Sequence, residues 1–206
     1  MVKALLSSTY FGPVQWYQKL NRAEVTQIER WESFQKQTFR NRCVIATTNG
    51  LQALTFPIER GGADLIQDIR ISDHGNWRHL HWNALTTAYS ESPFFEYYQD
   101  DIRPFFEQRW EYLIDYNEAI REKICELLDI RPKVAFTQQY LSKDEVAAAH
   151  EYTDYREGIR PKHPLEDADF TPRPYYQVFS GKHGFQANLS ILDLLLNMGP
   201  ESIFYL

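Results

Sequence analysis

Residues 2–9 open the chain as an apolar run followed by small polar residues, which reads as a buried strand. Tyr10-Phe11-Gly12-Pro13 breaks it, residues 14–21 fit a short helix, and residues 25–30 alternate as a second strand. Residues 43–47 and 53–59 are apolar runs flanking Thr48-Asn49-Gly50, and Asn-Gly between such runs is a strong hairpin signal. A further strand is expected at 66–71. Ser72 or Asp73 is placed to cap a helix over 76–89, where Trp77, His81, Ala84, Leu85, Ala88 and Tyr89 form one stripe. Ser92-Pro93 starts another helix that Pro104 interrupts. Residues 111–128 carry the clearest helical period, with Leu113, Tyr116, Ile120, Ile124, Leu127 and Leu128 inward.

Residues 142–175 break the pattern. The stretch is polar, contains Pro161, Pro164, Pro172 and Pro174, and reads as a long loop or lid. A short strand is expected at 176–179. Asn188 is placed to cap a last helix over 189–197, apolar on nearly every side and stopped by Gly199-Pro200. Residues 203–206 suggest a final strand. The pattern predicts one α/β domain over 1–206, a central mixed sheet with packed helices, and the Pro-rich segment lying over one edge.

Composition narrows the class. Of 206 residues, 43% are hydrophobic and 24% charged, the balance of a globular domain. The formal charge of −6, without any basic run, removes the usual electrostatic case for nucleic acid. Cys43 and Cys125 are too few for a disulfide framework or a zinc site. The opening apolar stretch is too short for a signal peptide, and no stretch of 18 apolar residues is present to span a membrane. A cytoplasmic protein is expected; oligomeric state is left open.

Three stretches concentrate chemistry. Residues 34–43 hold Lys36, Arg40, Asn41 and Arg42. If extended, Lys36, Thr38, Arg40 and Arg42 share one side, and an arginine fork grips phosphate or carboxylate with two hydrogen bonds. Such a cradle suits a sugar nucleotide or a carrier's phosphopantetheine. The competing expectation is a solvated basic edge strand. His79 and His81 do not share a helix face, which argues against a metal pair. His81 lies on the apolar stripe, as a shielded general base or as a hydrogen-bonded core imidazole. Asp193 lies among leucines and needs a partner; it either orients a His or Lys or anchors Arg40 or Arg42. No GxGxxG, P-loop or G-x-S-x-G motif occurs, and no cofactor or metal is expected.

Ser7-Ser8-Thr9-Tyr10-Phe11 with Pro13 and Tyr17, then Lys36-Gln37-Thr38-Phe39-Arg40-Asn41-Arg42-Cys43, begin a longer pattern. Leu54, Pro57, Trp77, His81-Trp82, Tyr89 and Ser92-Pro93-Phe94-Phe95 continue it. Tyr176-Gln-Val-Phe179, Gly184-Phe185 and Asn188-Leu-Ser-Ile-Leu-Asp193-Leu-Leu close it. Together, and in this order, they resemble the WbqC-like family over almost the whole chain. The resemblance implies a bacterial surface-polysaccharide context and transfer of glycine or another acyl group. It gives extra weight to polar residues inside the matched pieces. His81 and Asp193 become candidate catalytic residues; Lys36, Arg40, Asn41, Arg42, Tyr10 and Tyr89 become candidate substrate-binding residues. The leading expectation is an amino-acyl or acyl transferase acting on a small-molecule or carrier-linked substrate such as a sugar nucleotide, in O-antigen or related biosynthesis. The alternative is a non-catalytic binding module for a sugar nucleotide or activated carrier.

Overall fold

The structure, a computed structural model, describes residues 3–59, 61–62 and 64–206. Val2, the first residue of the expected opening strand, lies outside these. Four short strands make the central sheet: β1 (Lys3–Ser7), β2 (Thr26–Glu29), β7 (Val134–Phe136) and β8 (Tyr152–Asp154). Their order is β7-β2-β1-β8, and every neighbouring pair is parallel. Parallel strands are covered on both faces, so they read as unbroken apolar runs. Ala4, Leu5 and Leu6 of β1 are all buried.

Antiparallel pairing occurs outside this sheet. The expected hairpin is β3 (Arg42–Thr47) on β4 (Gly50–Thr55), with Thr47 opposite Gly50. The two loop residues are therefore Thr48 and Asn49. Gly50 takes the positive φ of 104° just past them. β5 (Ile58–Glu59) pairs with β6 (Arg70–Ile71). The α/β class holds, with the central sheet wholly parallel and the antiparallel ladders apart from it.

Eight helices pack around these ladders among the described residues. α1 (Val14–Arg22) follows β1. α2 (Trp77–Tyr89) buries Trp77, His81, Leu85, Ala88 and Tyr89, the stripe its spacing implies. α3 (Phe95–Ile102) and α4 (Pro104–Glu107) are separated at the proline that lacks a backbone donor. α5 (Leu113–Leu127) buries Leu113, Tyr116, Ile120 and Ile124.

Several elements differ from their sequence reading. The segment 142–175, expected as a loop, holds α6 (Lys143–Ala149) and β8, a strand of the central sheet. α6 carries its own start signal: Ser142 and Glu145 form a reciprocal capping box. β8 is three residues long, too short for its alternation to register against four prolines. Residues 176–179 form no strand; they lead into the single turn α7 (Ser180–His183). Residues 203–205 instead end a 3-10 helix, Gly199–Tyr205, and Leu206 follows it. Residues 66–71 split into a 3-10 turn, Ile66–Asp68, and β6.

The last helix, α8 (Ile191–Met198), is buried along seven of its eight residues. Each enclosed Leu or Ile there contributes about 1.5–3 kcal/mol of transfer free energy. Its cap is Ser190, whose Oγ accepts from the Leu192 N–H at 3.3 Å. Asn188, expected in that role, caps a different helix. Its Oδ1 accepts from Gln15 N of α1 at 2.9 Å, and its Nδ2 donates to Gln15 Oε1 at 3.0 Å. A left-handed backbone at Asn188, φ 55°, turns the side chain toward α1.

Candidate functional site

Residues 36–41 form successive turns, with Gln37 at φ 60°, so the parity argument for a cation cradle fails here. Lys36 is exposed. Arg42 is half-buried and donates through Nε to Thr55 Oγ1 at 2.8 Å. Arg40 points inward, 2% exposed. Its Nε and Nη2 grip Glu32 at 2.9 and 2.6 Å, and Nη2 also reaches Ser7 Oγ at 2.9 Å. Asn117 of α5 fixes the Arg40 carbonyl, and Asn41 Nδ2 donates to Phe56 O. The bidentate fork anticipated for a ligand is thus filled by the protein's own carboxylate.

Tyr10 and His81 come together. The Tyr10 phenol lies 2.9 Å from His81 Nδ1, inside a ring cluster with Phe56, Trp77 and Tyr116. Burial pushes the imidazole down to about 4, against a raising contact with the Thr55 backbone. His81 is therefore neutral at pH 7, with polar neighbours at Tyr10 and Thr55. His81 is not among the residues that line five cavities of the molecule. This is the geometry of a satisfied core histidine.

Tyr89 and Asp193 also meet, at a separate place. Asp193 Oδ1 accepts from Tyr89 Oη at 2.9 Å. Its Oδ2 accepts from Tyr175 Oη and Gln177 Nε2, both at 2.7 Å. Burial raises its pKa, and donations from Tyr175, Gln177 and Tyr89 pull it back. Burial, then the charge of Asp193, keeps both phenols protonated as donors. Neither His81 nor Arg40 is among the hydrogen-bond partners of Asp193, so the partner the sequence demanded is a tyrosine pair and a glutamine.

The carboxyl ends of the parallel strands hold chemistry that the sequence reading missed. Glu29, at the end of β2, is fully buried. It accepts from Trp31 N, Thr137 Oγ1, Leu141 N and Arg156 Nη1 at 2.7–3.1 Å. Arg156, past the end of β8, also grips Asp154 with Nε and Nη2 at 2.9 and 2.7 Å. With the strands numbered in chain order, the sheet runs 3-2-1-4, so the order reverses between β1 and β8. In open parallel sheets, ligands bind outside the carboxyl ends of the strands at such a reversal; here Glu29, Asp154 and Arg156 occupy that end with bonds to one another.

A groove of about 610 Å³ lies along the β1–β8 seam, beside the first residues of β1 and the last turn of α1. It is walled by Ala4 of β1, Thr153 and Tyr155 of β8 and its exit, and Lys19 and Arg22 of α1, with Lys3 and Arg173 at its rim. Lys3 pairs with Glu151 at 2.9 Å and Lys19 with Asp167 at 2.8 Å. Arg22 and Arg173 instead donate to the main-chain oxygens of Leu206 and Phe204, both at 3.1 Å. Among the described residues no side-chain carboxylate pairs with either guanidinium. Lys19 and Arg22, three apart near the end of a helix, were a readable signal of a shared cationic face. Arg173 could be placed there only by the fold. No group of three or more His, Cys, Asp or Glu among the described residues is arranged to hold a metal ion. No helix among them is long and apolar enough to cross a membrane.

Comparison with known proteins agrees with this chain-long pattern. Residues 8–205 match the model of the WbqC-like protein family. The uncharacterized protein Rv1507c of Mycobacterium tuberculosis (strain ATCC 25618 / H37Rv) is 30% identical over 199 residues, covering 84% of this chain and 83% of that protein. No solved structure matches the chain. The chain belongs to the WbqC-like protein family.

Proposed function

We propose that this chain is a transferase that moves an amino-acyl group, glycyl included, or another acyl group onto a sugar-linked amine or hydroxyl in bacterial surface-polysaccharide biosynthesis, O-antigen included. The observation that carries the reading is the groove along the β1–β8 seam, with the guanidiniums of Arg22 and Arg173 directed to oxygens of Leu206 and Phe204 rather than to side-chain carboxylates. A concave site with cations on its wall raises the local concentration of an anionic substrate. The diphosphate of a sugar nucleotide, or the phosphate of a carrier-linked donor, would lie against these two residues. In this reading the whole chain acts as one cytoplasmic domain, and the 142–175 segment serves as its lid, bringing Ala168, Asp169, Thr171 and Arg173 to the groove.

The second reading is a non-catalytic binding module for the same ligands. It is favoured by one observation: His81 and Asp193, the two candidate proton-handling groups, are both buried and hydrogen-bonded within the core. Calorimetry with a panel of sugar nucleotides, paired with mass-spectrometric detection of acyl or amino-acyl transfer, separates the two. Saturable binding that falls at least about tenfold in Arg22→Gln/Arg173→Gln, together with product, supports the transferase. Binding of that kind without turnover of any acyl donor supports the module. Binding unchanged in the double variant removes the groove from both.

A further inference from the structure

A second cavity, of about 370 Å³, lies between α2 and α4 and shares no lining residue with the β1–β8 groove. Its wall includes Asp73, Trp77, Arg78, Trp82, Arg103 and Arg109. Asp73 sits between two guanidiniums: Oδ1 is 2.6 Å from Arg78 Nη1, and Oδ2 is 3.4 Å from Arg109 Nη1. Arg103 is matched by Glu107 at 2.6 Å. The lining therefore carries three guanidiniums against two carboxylates.

Arg78 is the unusual member. Its guanidinium stacks on Trp77, 4.5 Å from the ring centroid. Its Nη1 is committed to Asp73, yet Nε and Nη2 are buried and meet no acceptor among the described residues. Those two N–H groups form the side-on edge of the fork, the edge that takes two oxygens of one carboxylate or phosphate. A buried charged donor without an acceptor is costly, so its persistence calls for a partner. The Trp77 stack and the Asp73 bond hold the fork in one plane, so little freedom is lost when an oxyanion docks. No acidic residue lies in the first turn of α2, where the helix dipole adds to the positive potential.

We infer that this cavity is a binding site for a small organic oxyanion, in which the Nε–Nη2 edge of Arg78 takes a carboxylate or phosphate and Trp82 and Phe106 hold the apolar or ring-shaped body that carries it. Arg109 closes over the anion from the rim, since its side chain is largely exposed and only loosely tied to Asp73. The site does not depend on the groove or on the transfer reaction.

The test uses the full chain with benzoate and phenyl phosphate as probes, read by calorimetry and by the Nε–Hε resonance of Arg78 in NMR spectra. One probe or both should bind saturably, one per chain, and shift that resonance. Arg78→Lys, which keeps the charge and loses the fork, should weaken binding at least about tenfold. In Arg22→Gln/Arg173→Gln the probe-induced shift of the Arg78 resonance should be unchanged, whatever the groove itself binds. Preference for one probe identifies the oxyanion as carboxylate or phosphate. Absence of saturable binding by both, or binding that leaves the Arg78 resonance in place, overturns the assignment. The resonance is measured on the unsubstituted chain, so the result stands even if Arg78→Lys does not fold.

Discussion

Tyr10 Oη and His81 Nδ1 are 2.9 Å apart in a cluster of aromatic rings, and the imidazole there is held down to about 4. The unfolded chain binds a proton on His81 near pH 6.5, whereas the folded one resists it down to about 4. A depressed histidine of this kind favours the folded state above the unfolded pKa and costs stability as pH falls between the two values. Each pH unit inside that window removes about 1.4 kcal/mol. Urea midpoints between pH 7.5 and 4 should fall on acidification, and His81→Gln should flatten that fall while lowering stability at pH 7.5. A normally stable His81→Gln that loses roughly two to four orders of magnitude in transfer rate would instead make His81 the base.

Tyr10→Phe tests the same pair from the other side. It removes the donor and leaves Nδ1 buried without a partner, which costs about 1–3 kcal/mol. The loss should appear in thermal unfolding with little change in the circular dichroism of the folded chain.

Arg40 and Glu32 form a buried two-bond pair whose removal from one side strands a charge. Glu32→Gln and Arg40→Met should each destabilise by about 3–5 kcal/mol, and the double variant by less than the sum. Ser7 Oγ, which accepts from Arg40 and donates to Glu32, joins the pair to the end of β1. Additive losses in denaturant titrations would show that the pair is not coupled.

Asp193 should respond to pH in the opposite sense from His81. Its carboxyl is raised by burial, so the proton it holds favours the folded state at low pH, and that contribution is lost as pH rises through the folded pKa. Asp193→Asn should abolish this dependence. It should also lower stability, because an amide placed at Oδ2 would face the donors of Tyr175 and Gln177.

Gly199 ends α8 at φ 55°, and a Cβ built there would lie 2.5 Å from the Phe94 ring. Gly199→Ala meets both a left-handed backbone and that ring, so it should cost more than about 1 kcal/mol. Gly50→Ala is the control: it shares the positive φ but has open space around it, so its loss should be the smaller of the two.

Much of the local structure was legible because periodicity acts over neighbouring residues. The α2 stripe and the α5 face follow from side-chain spacing, and the Cys43 hairpin from Asn49-Gly50 between two apolar runs. The family pattern in residues 8–205 was also present in the order of short motifs. Strands of three residues such as β7 and β8 leave no such trace. They exist because β2 and β1 offer them open backbone edges, with Thr26 paired to Val134 and Lys3 to Tyr152.

Asp193 and His81 lie on helix faces that are apolar in the sequence, and that alone requires both to be enclosed and partnered. The folded arrangement of distant segments chose the partners. It gave Asp193 the phenols of Tyr89 and Tyr175, 104 and 18 residues away, and gave His81 the phenol of Tyr10, 71 residues away. It likewise gave Asn188 to α1 instead of α8, across 173 residues. A hydrogen bond is directional and short, so its partner is set by where the backbone brings atoms within about 3 Å. Burial of an apolar face needs only the right side, and the chain's own period supplies that.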